Sequence, residues 1–514
     1  MSSRRFPLAQ ALRLQGPSVI WFKPALSVVV SAAPPNLLLL TLGRLDLALY
    51  TMAGSLCALY AHQRPYAARA RVLTWVVLGM TAGLAVALLT SALTPGPVVL
   101  VLVGALLAAA QKTVCEATRV GPPGNVVVTF ISSAALFVPQ TLGQVPAHLG
   151  LALAAGAWAW LVCMAPGALR PHGPERRAVA AALHAAADLA AEGHTPAHTA
   201  LHTAWGVLRS PGTRPDPTRR ALEHLLLSAE TADAGPGQLR AWAQALRGTG
   251  PVPHARASDS ADVHPRPARV PLRHLAPMAT RTALGCALAG LAALSLGVGR
   301  PYWALVTAAS LFQANITLTW SRGVQRVVGN LLGVLVFAAL TPLTHLHPAV
   351  LVLCCLACSF GAEALIARNY WLGTVCVTPM ALLITEFTRL QDPGPLITQR
   401  VLDTLVGALA GFAAAVMVTN RRAGDRVDDA LTAVEDARAH TERLLAHPAS
   451  QAMPTARRNL AAALTDLRAT ADAAQGEWWQ RPFPAERLAL AERTGHRTLA
   501  AAVRHRGVAP LKQD

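Results

Sequence analysis

The chain has 514 residues, of which 53% are hydrophobic and only 14% charged, with a mean hydropathy of +0.38 and a formal net charge of +18. Soluble domains average about 25% charged residues, so the composition points to a polytopic membrane protein. The positive charge does not indicate nucleic acid. Residues 167–275 hold 13 Arg against 9 acids and residues 420–514 hold 15 Lys or Arg against 12 acids, so each stretch is only mildly basic, and neither offers a basic helix with interleaved aromatics. Attraction to anionic lipid at the inner face accounts for the excess.

At the amino end, Arg4, Arg5, Arg13 and Lys23 surround no brief apolar core with a small-residue cleavage site, so no removable signal peptide is expected. Apolar stretches near the ~20 residues needed to cross ~30 Å of hydrocarbon then follow at 25–43, 46–61, 71–92, 96–113, 124–143 and 146–166. A second set lies at 276–298, 302–318, 326–344, 348–367, 370–387 and 400–418. The predicted fold class is all-α, a polytopic membrane protein with about twelve transmembrane helices in two six-helix halves, residues 1–166 and 276–419. The second and eighth stretches are short, and re-entrant segments are the alternative there. Lys and Arg gather on the cytoplasmic side of a membrane. With the amino end inside, the inner loops carry Arg64, Arg69, Arg71, Lys112, Arg119, Arg322, Arg326 and Arg368, and the outer loops carry Arg44, Arg300, Arg389 and Arg400 beside Asp46, Glu386 and Asp392. Both termini and both soluble stretches then fall in the cytoplasm.

Between the halves, residues 167–247 read as a cytoplasmic helical domain, with Ala- and Leu-rich amphipathic stretches such as ERRAVAAALHAAADLAAEG and PTRRALEHLLLSAETADAG. Residues 248–275, rich in Pro, Ser and charge, read as a flexible linker. The tail, 420–514, shows helical stretches near 424–446, 455–475 and 485–505, with Leu460, Leu464 and Leu467 at helical spacing, suited to bundling with the first soluble domain. The eight cysteines lie in or beside predicted spans; Cys355 and Cys358 form a CxxC with no second CxxC and no nearby His cluster, so packing is favoured over metal. Only three lysines occur and none closes a GxxxxGK loop, and HExxH and GxSxG are absent, so no nucleotide-driven transport, no enzyme activity, no cofactor and no metal are expected. His345 and His347 sit in a predicted outer loop.

The two halves share fragments. Arg71-Val72-Leu73 corresponds to Arg326-Val327-Val328, Ala48-Leu49-Tyr50-Thr51 to Ala304-Leu305-Val306-Thr307, and Arg119, Gly124 and Thr129 have the spacing of Arg368, Gly373 and Thr378. Parallel repeats of this kind build carriers and pores. Within the second half, RPYWALVTAASLFQANITLTWSRGVQRVVGNLLGVL, RNYWLGTVCVTPMALL and RVLDTLVGALAG resemble, in order, the signature of the fusaric acid resistance protein-like (FUSC) family, across about residues 276–418. Gly329-Asn330 replaces the Gly-Thr usual in that family, and the first half lacks a Tyr-Trp pair. The resemblance implies a bacterial inner-membrane protein with cytoplasmic helical domains, related to exporters of aromatic carboxylic acids and, in layout, to plant malate channels.

An Arg at the bilayer centre costs about 2.5–3.5 kcal/mol on insertion scales, so it persists where it snorkels, pairs or lines water. Arg322 and Arg326, four residues apart, share a helix face. They obey the positive-inside rule; they also suit the inner mouth of an anion path walled by Gln313, Asn315, Thr317 and Thr319 and continued by Arg368 and Asn369, since guanidinium binds carboxylate bidentately. Glu363 and Asp403 are the candidate proton-coupling residues, because burial raises a carboxyl pKa; Arg400 and Asp403 also suit simple pairing along one helix face. Tyr302, Trp303, Tyr370 and Trp371 read as interface anchors. The expectation is a proton-coupled exporter of small organic anions, with aromatic carboxylic acids the class implied by the resemblance. A passive anion channel and a non-transporting scaffold or sensor acting through the soluble helices stay open. The expected partners are the organic anion and the lipid bilayer, not nucleic acid, with self-association left open.

Overall fold

A computed structural model describes residues 8–14, 21–192, 197–208, 210, 216–230, 234–248, 250–254, 272–418, 423–446, 452–475, 477 and 484–504. Among them the structure is helical throughout, without strands. A short α1 (Leu8–Leu12) precedes the first half, which comprises α2 (Phe22–Thr41), α3 (Ala48–Ser55, flanked by 3-10 turns), α4 (Tyr66–Leu93), α5 (Pro97–Thr118), α6 (Val126–Leu136) and α7 (Val145–Leu169). Next come α8 (Gly173–Glu192), α9 (Ala197–Leu208), α10 (Pro217–Glu230) and α11 (Pro236–Arg247). The second half is α12 (Leu272–Ser295), α13 (Pro301–Leu311), α14 (Ile316–Thr344), α15 (Pro348–Ile366), α16 (Tyr370–Glu386) and α17 (Pro393–Met417), and the tail is α18 (Ala423–Leu445), α19 (Met453–Gln475) and α20 (Ala485–Arg504).

The chain divides into two compact units: Met1–His62, Ala70–Ala165 and Arg269–Thr419 form one, and Gln63–Arg69, Pro166–Ala268 and Asn420–Asp514 the other. The second unit buries Val179, Leu183, Leu222, Leu226 and Leu239 in one core and Val427, Leu431, Leu460, Leu464 and Leu467 in another. Arg458 of α19 lies over the ring of Trp205 on α9, 5.8 Å from its centroid. Of the expected linker, 255–271 lies outside the described residues, and Leu272 already begins α12.

All twelve apolar stretches of the first unit are helical, but not all are long enough to span. By length and apolar composition eight helices qualify among the described residues: α2, α4, α5, α7, α12, α14, α15 and α17. Length and composition thus support eight spans and do not confirm the expected count of about twelve. At 1.5 Å per residue, the 11 residues of α13 and of α6 reach about 16 Å against ~30 Å of hydrocarbon. The short segments occupy the same places in both halves, second and fifth of six. Short helices expose backbone groups at their ends, which an apolar setting tolerates only where protein surrounds them; every residue of α13 is accordingly buried.

Reciprocal packing joins the halves: α12 lies on α5, and α2 lies on α15, so the first helix of each half meets the fourth of the other. Glycine permits the second-to-sixth crossing in both. A Cβ on Gly54 of α3 would run into the backbone of Ala152 and Gly156 on α7, and one on Gly407 of α17 into the Ala304 carbonyl of α13. Equivalent threonines, Thr51 and Thr307, are both buried there, and Arg119 and Arg368 both follow the fourth helix of their half. The glycine correspondence fails: Gly124 takes a left-handed φ of 65°, whereas Gly373 is inside α16.

Helix starts account for the loop residues that the structure moves into helices. Pro97, Pro301, Pro348 and Pro393 open α5, α13, α15 and α17, where a missing N–H costs nothing. Asp392 accepts from Gly394 N and starts α17 well before the expected boundary, so Arg400 belongs to a helix and is buried, not to an outer loop. Asn315 caps α14, so Arg322 and Arg326 are helical too, and the turn sits at 312–315. Lys112 is likewise within α5, paired with Glu116 at 2.9 Å.

Another close crossing in the second half is α14 on α16, through Gly329 and Gly333, a small-xxx-small spacing suited to tight packing. A Cβ on Gly333 would sit 2.6 Å from Thr378 Cβ and 2.9 Å from the Val375 carbonyl oxygen. Gly333→Val is therefore expected to lower thermal stability in detergent by about 1–3 kcal/mol. Gly323→Ala, whose nearest neighbour would be Leu311 Cδ2 at 4.0 Å, should leave the unfolding temperature unchanged or raise it slightly.

Candidate functional site

The polar stretch that follows α13 builds a turn first. Phe312 leaves the helix with an extended ψ of 116°. Asn315 Oδ1 accepts from Leu318 N at 2.8 Å, and Thr319 Oγ1 donates to the Asn315 carbonyl at 2.8 Å while accepting from Gln313 N at 3.1 Å. Gln313 Nε2 donates to the Phe312 carbonyl at 3.2 Å. Gln313, Asn315 and Thr319 are thus engaged in ending one helix and starting the next, which is what a chain break among apolar helices requires. Thr317 sits half-buried in the first turn of α14.

One to three turns on, α14 meets the start of α16. The Arg322 guanidinium lies 3.9 Å from the centroid of the Tyr370 ring, and Arg326 Nη1 donates to Tyr370 Oη at 3.1 Å. One phenol therefore holds both arginines, one over its face and one at its oxygen. Asn369 caps α16, accepting from Trp371 N at 3.3 Å, while Arg368 is exposed and takes no part. Trp371 Nε1 donates to the Leu12 carbonyl at 3.2 Å.

One turn beyond Arg326, Asn330 Oδ1 accepts from Thr378 Oγ1 at 2.5 Å and from Arg400 Nη2 at 3.1 Å. The Arg400 guanidinium lies 4.9 Å from the Trp303 ring centroid, and Arg300 lies 5.1 Å from the same ring. Arg300 in turn donates to Gln391 Oε1 at 2.5 Å. Trp303, expected as an interface anchor, is 0% exposed and Tyr302 is buried beside it. A polar line thus runs Arg322, Tyr370, Arg326, Asn330, Arg400, Trp303, Arg300, drawn from α14, α16, α17 and α13 with its N-cap. It combines two expected residues with Trp303, Asn330, Thr378 and Arg400, which the sequence reading had assigned other places or none. The signals were present: Asn330 as the departure from Gly-Thr, and Arg400 as a charge in an apolar helix.

The arginines of this line make their direct contacts with neutral groups, while Asp403 acts on Arg400 and Arg300 at longer range. Among the described residues no ion pair joins Arg300, Arg322, Arg326 or Arg400 to a carboxylate; their partners are a phenol, two amides and an indole. Asp403, one turn past Arg400, is fully buried with neither carboxylate oxygen hydrogen-bonded, so it does not form the simple helix-face pair with Arg400. Arg326 Nε, Asn330 Nδ2, Arg400 Nε, Trp303 Nε1 and Thr307 Oγ1 are also buried without a protein partner. Leaving a buried donor unpaired costs about 1–3 kcal/mol, a cost that water or another polar group beside these atoms would offset. Glu363, on α15, is half-buried and joins none of these contacts.

The comparisons agree with the part of the chain that forms this line. Residues 287–414 match the family model described as fusaric acid resistance protein-like, which bears out the resemblance read from the motifs. A stretch of 145 residues is 28% identical to the uncharacterized membrane protein YvaC of Bacillus subtilis (strain 168), covering 27% of this chain and 22% of that protein. The chain thus aligns with about a fifth of that relative's length. No solved structure matches. The chain is a multi-pass membrane protein whose second half is similar to the fusaric acid resistance protein-like family.

Replacing Asn330 by Leu removes the acceptor shared by Arg400 and Thr378. It should lower stability by about 1–3 kcal/mol, read as a fall in unfolding temperature, whereas Arg368→Ala on the exposed turn should leave that temperature unchanged.

Proposed function

We propose that this protein is a secondary transporter that exports small organic anions, with aromatic carboxylic acids the leading class, across a bacterial cell membrane with its termini and soluble helices in the cytoplasm. The observation that carries this reading is the line of four guanidiniums, Arg326 and Arg400 buried and Arg300 and Arg322 half-buried, whose direct partners are neutral. A guanidinium neutralised by a carboxylate offers an anion little; one held by a phenol face or an amide oxygen keeps its charge and its free donors. Spaced along one path, such groups give an anion successive resting places, each shallow enough to leave. Export and aromatic substrates come from the likeness to the fusaric acid resistance protein-like family, and the membrane orientation from the distribution of Arg between loops.

Proton coupling is assigned to Asp403, the one carboxylate in the immediate neighbourhood of the line. A carboxyl group there exchanges charge with the path: ionised, it offsets a guanidinium; protonated, it leaves the arginines for the anion. Glu363 is the second candidate, with no contact to the line to recommend it. The passive channel differs in needing no such residue.

The test is efflux from cells or proteoliposomes loaded with a labelled panel of aromatic and aliphatic carboxylates. Arg326→Ala and Arg400→Ala should each cut flux roughly tenfold or more, matching the ~1.5–3 kcal/mol of a hydrogen bond to a charged group. Asp403→Asn should abolish the response to a protonophore while Glu363→Gln keeps it. Flux of every panel member unaltered by either arginine substitution sinks the anion-path reading; flux that needs the arginines but ignores both protonophore and Asp403→Asn favours the channel.

A further inference from the structure

The chain's own amino-terminal segment is held beside the Tyr370 end of the arginine line. The five-residue α1 packs on α14, and the carbonyls at and just beyond its end accept from three side chains. Gln325 Nε2 donates to the Ala11 carbonyl at 2.7 Å, Asn369 Nδ2 to the carbonyls of Ala11 at 3.1 Å and Arg13 at 2.9 Å, and Trp371 Nε1 to that of Leu12 at 3.2 Å. Gln325 lies between Arg322 and Arg326 on α14, and Asn369 and Trp371 flank Tyr370 on α16. The residues that hold the segment therefore alternate with those that hold the arginines.

A helix this short has no stability of its own; its last turn leaves carbonyls unsatisfied, and here three side chains supply the missing donors. Ala11 is buried by the contact, whereas Leu8 and Leu14 on either side of it remain exposed, so the attachment is mostly polar and local. Carbonyl oxygens are also the one chemistry in reach that resembles an incoming carboxylate: acceptors only, placed beside two cations. Water or a carboxylate can replace them bond for bond.

We propose that residues 8–14 are a releasable strap that closes this end of the arginine line and must leave before an anion can reach Arg322 and Arg326. The inference rests on the anion-path reading of the line, but its closure is measurable without any substrate. Arg322→Cys supplies a reporter thiol beneath the strap, and the probe is a negatively charged, membrane-impermeant methanethiosulfonate applied to the purified full-length protein in detergent. Two backgrounds free the strap: deletion of residues 2–14, and the full-length double variant Gln325→Leu/Trp371→Phe, which removes two of the three donors while keeping the Asn369 cap of α16. Thiol modification should be at least tenfold faster in both backgrounds than in the reporter alone. If the deletion fails to fold, judged by its unfolding temperature, the double variant decides. Equal rates in the double variant and the reporter alone overturn the strap. Efflux with arginine 322 restored separates the two readings: faster thiol reaction with no anion flux in any background overturns transport and leaves the strap, whereas arginine-dependent flux with unchanged thiol rates overturns the strap alone.

Discussion

Arg326 and Arg400 are buried among apolar helices without a carboxylate in direct ion-pair contact, and much of the second half is arranged to make that tolerable. An isolated charge moved out of water is costly, and proteins ordinarily meet the cost with an opposite charge. Here the compensation is distributed over a phenol oxygen, an amide oxygen and an indole face. Each is weaker than an ion pair, so the positive charge stays available. To bring these neutral partners within reach, α14 and α16 must approach through Gly329 and Gly333, and α13 and α17 through Gly407. The tight crossings and the unusual charges are parts of one arrangement.

The two halves share a plan and divide the chemistry. Both place short second and fifth helices among long ones, and both use glycine where the second meets the sixth. The first half fills its interior with neutral polar groups that satisfy one another: Thr51 donates to Asn36 at 3.1 Å, Thr129 to Gln111 at 2.9 Å, and Gln111 to Ser132 at 2.9 Å. The second half holds Arg326 and Arg400, buried and without a direct ion pair, and it is the side matched by the fusaric acid resistance protein-like family model.

Local patterning made much of this legible. The tail helices were expected near 424–446, 455–475 and 485–505 and lie at 423–445, 453–475 and 485–504, because their apolar spacing and breakers are short-range signals. The twelve apolar stretches were found for the same reason. Their reach was not, since hydropathy cannot distinguish a helix that faces lipid from one that is apolar because protein surrounds it; α13 reads like a span and is enclosed on all sides. Arg322 and Arg326 were read as a pair with an anion-binding role, but the phenol that holds them comes from Tyr370, 44 residues beyond Arg326 in the chain.

By itself, the sequence determined the membrane class, the all-helical character, the tail helices and the polar motif, all of which follow from composition and periodicity within a few turns. Tertiary structure decided which polar residues are spent and which are kept. Gln313, Asn315 and Thr319 were absorbed by a helix break, while Asn330, Trp303 and Arg400, unremarkable in isolation, were brought together from three helices. Whether a buried side chain retains its hydrogen-bonding capacity depends on what the neighbouring helices present to it, and no pattern along a single segment records that.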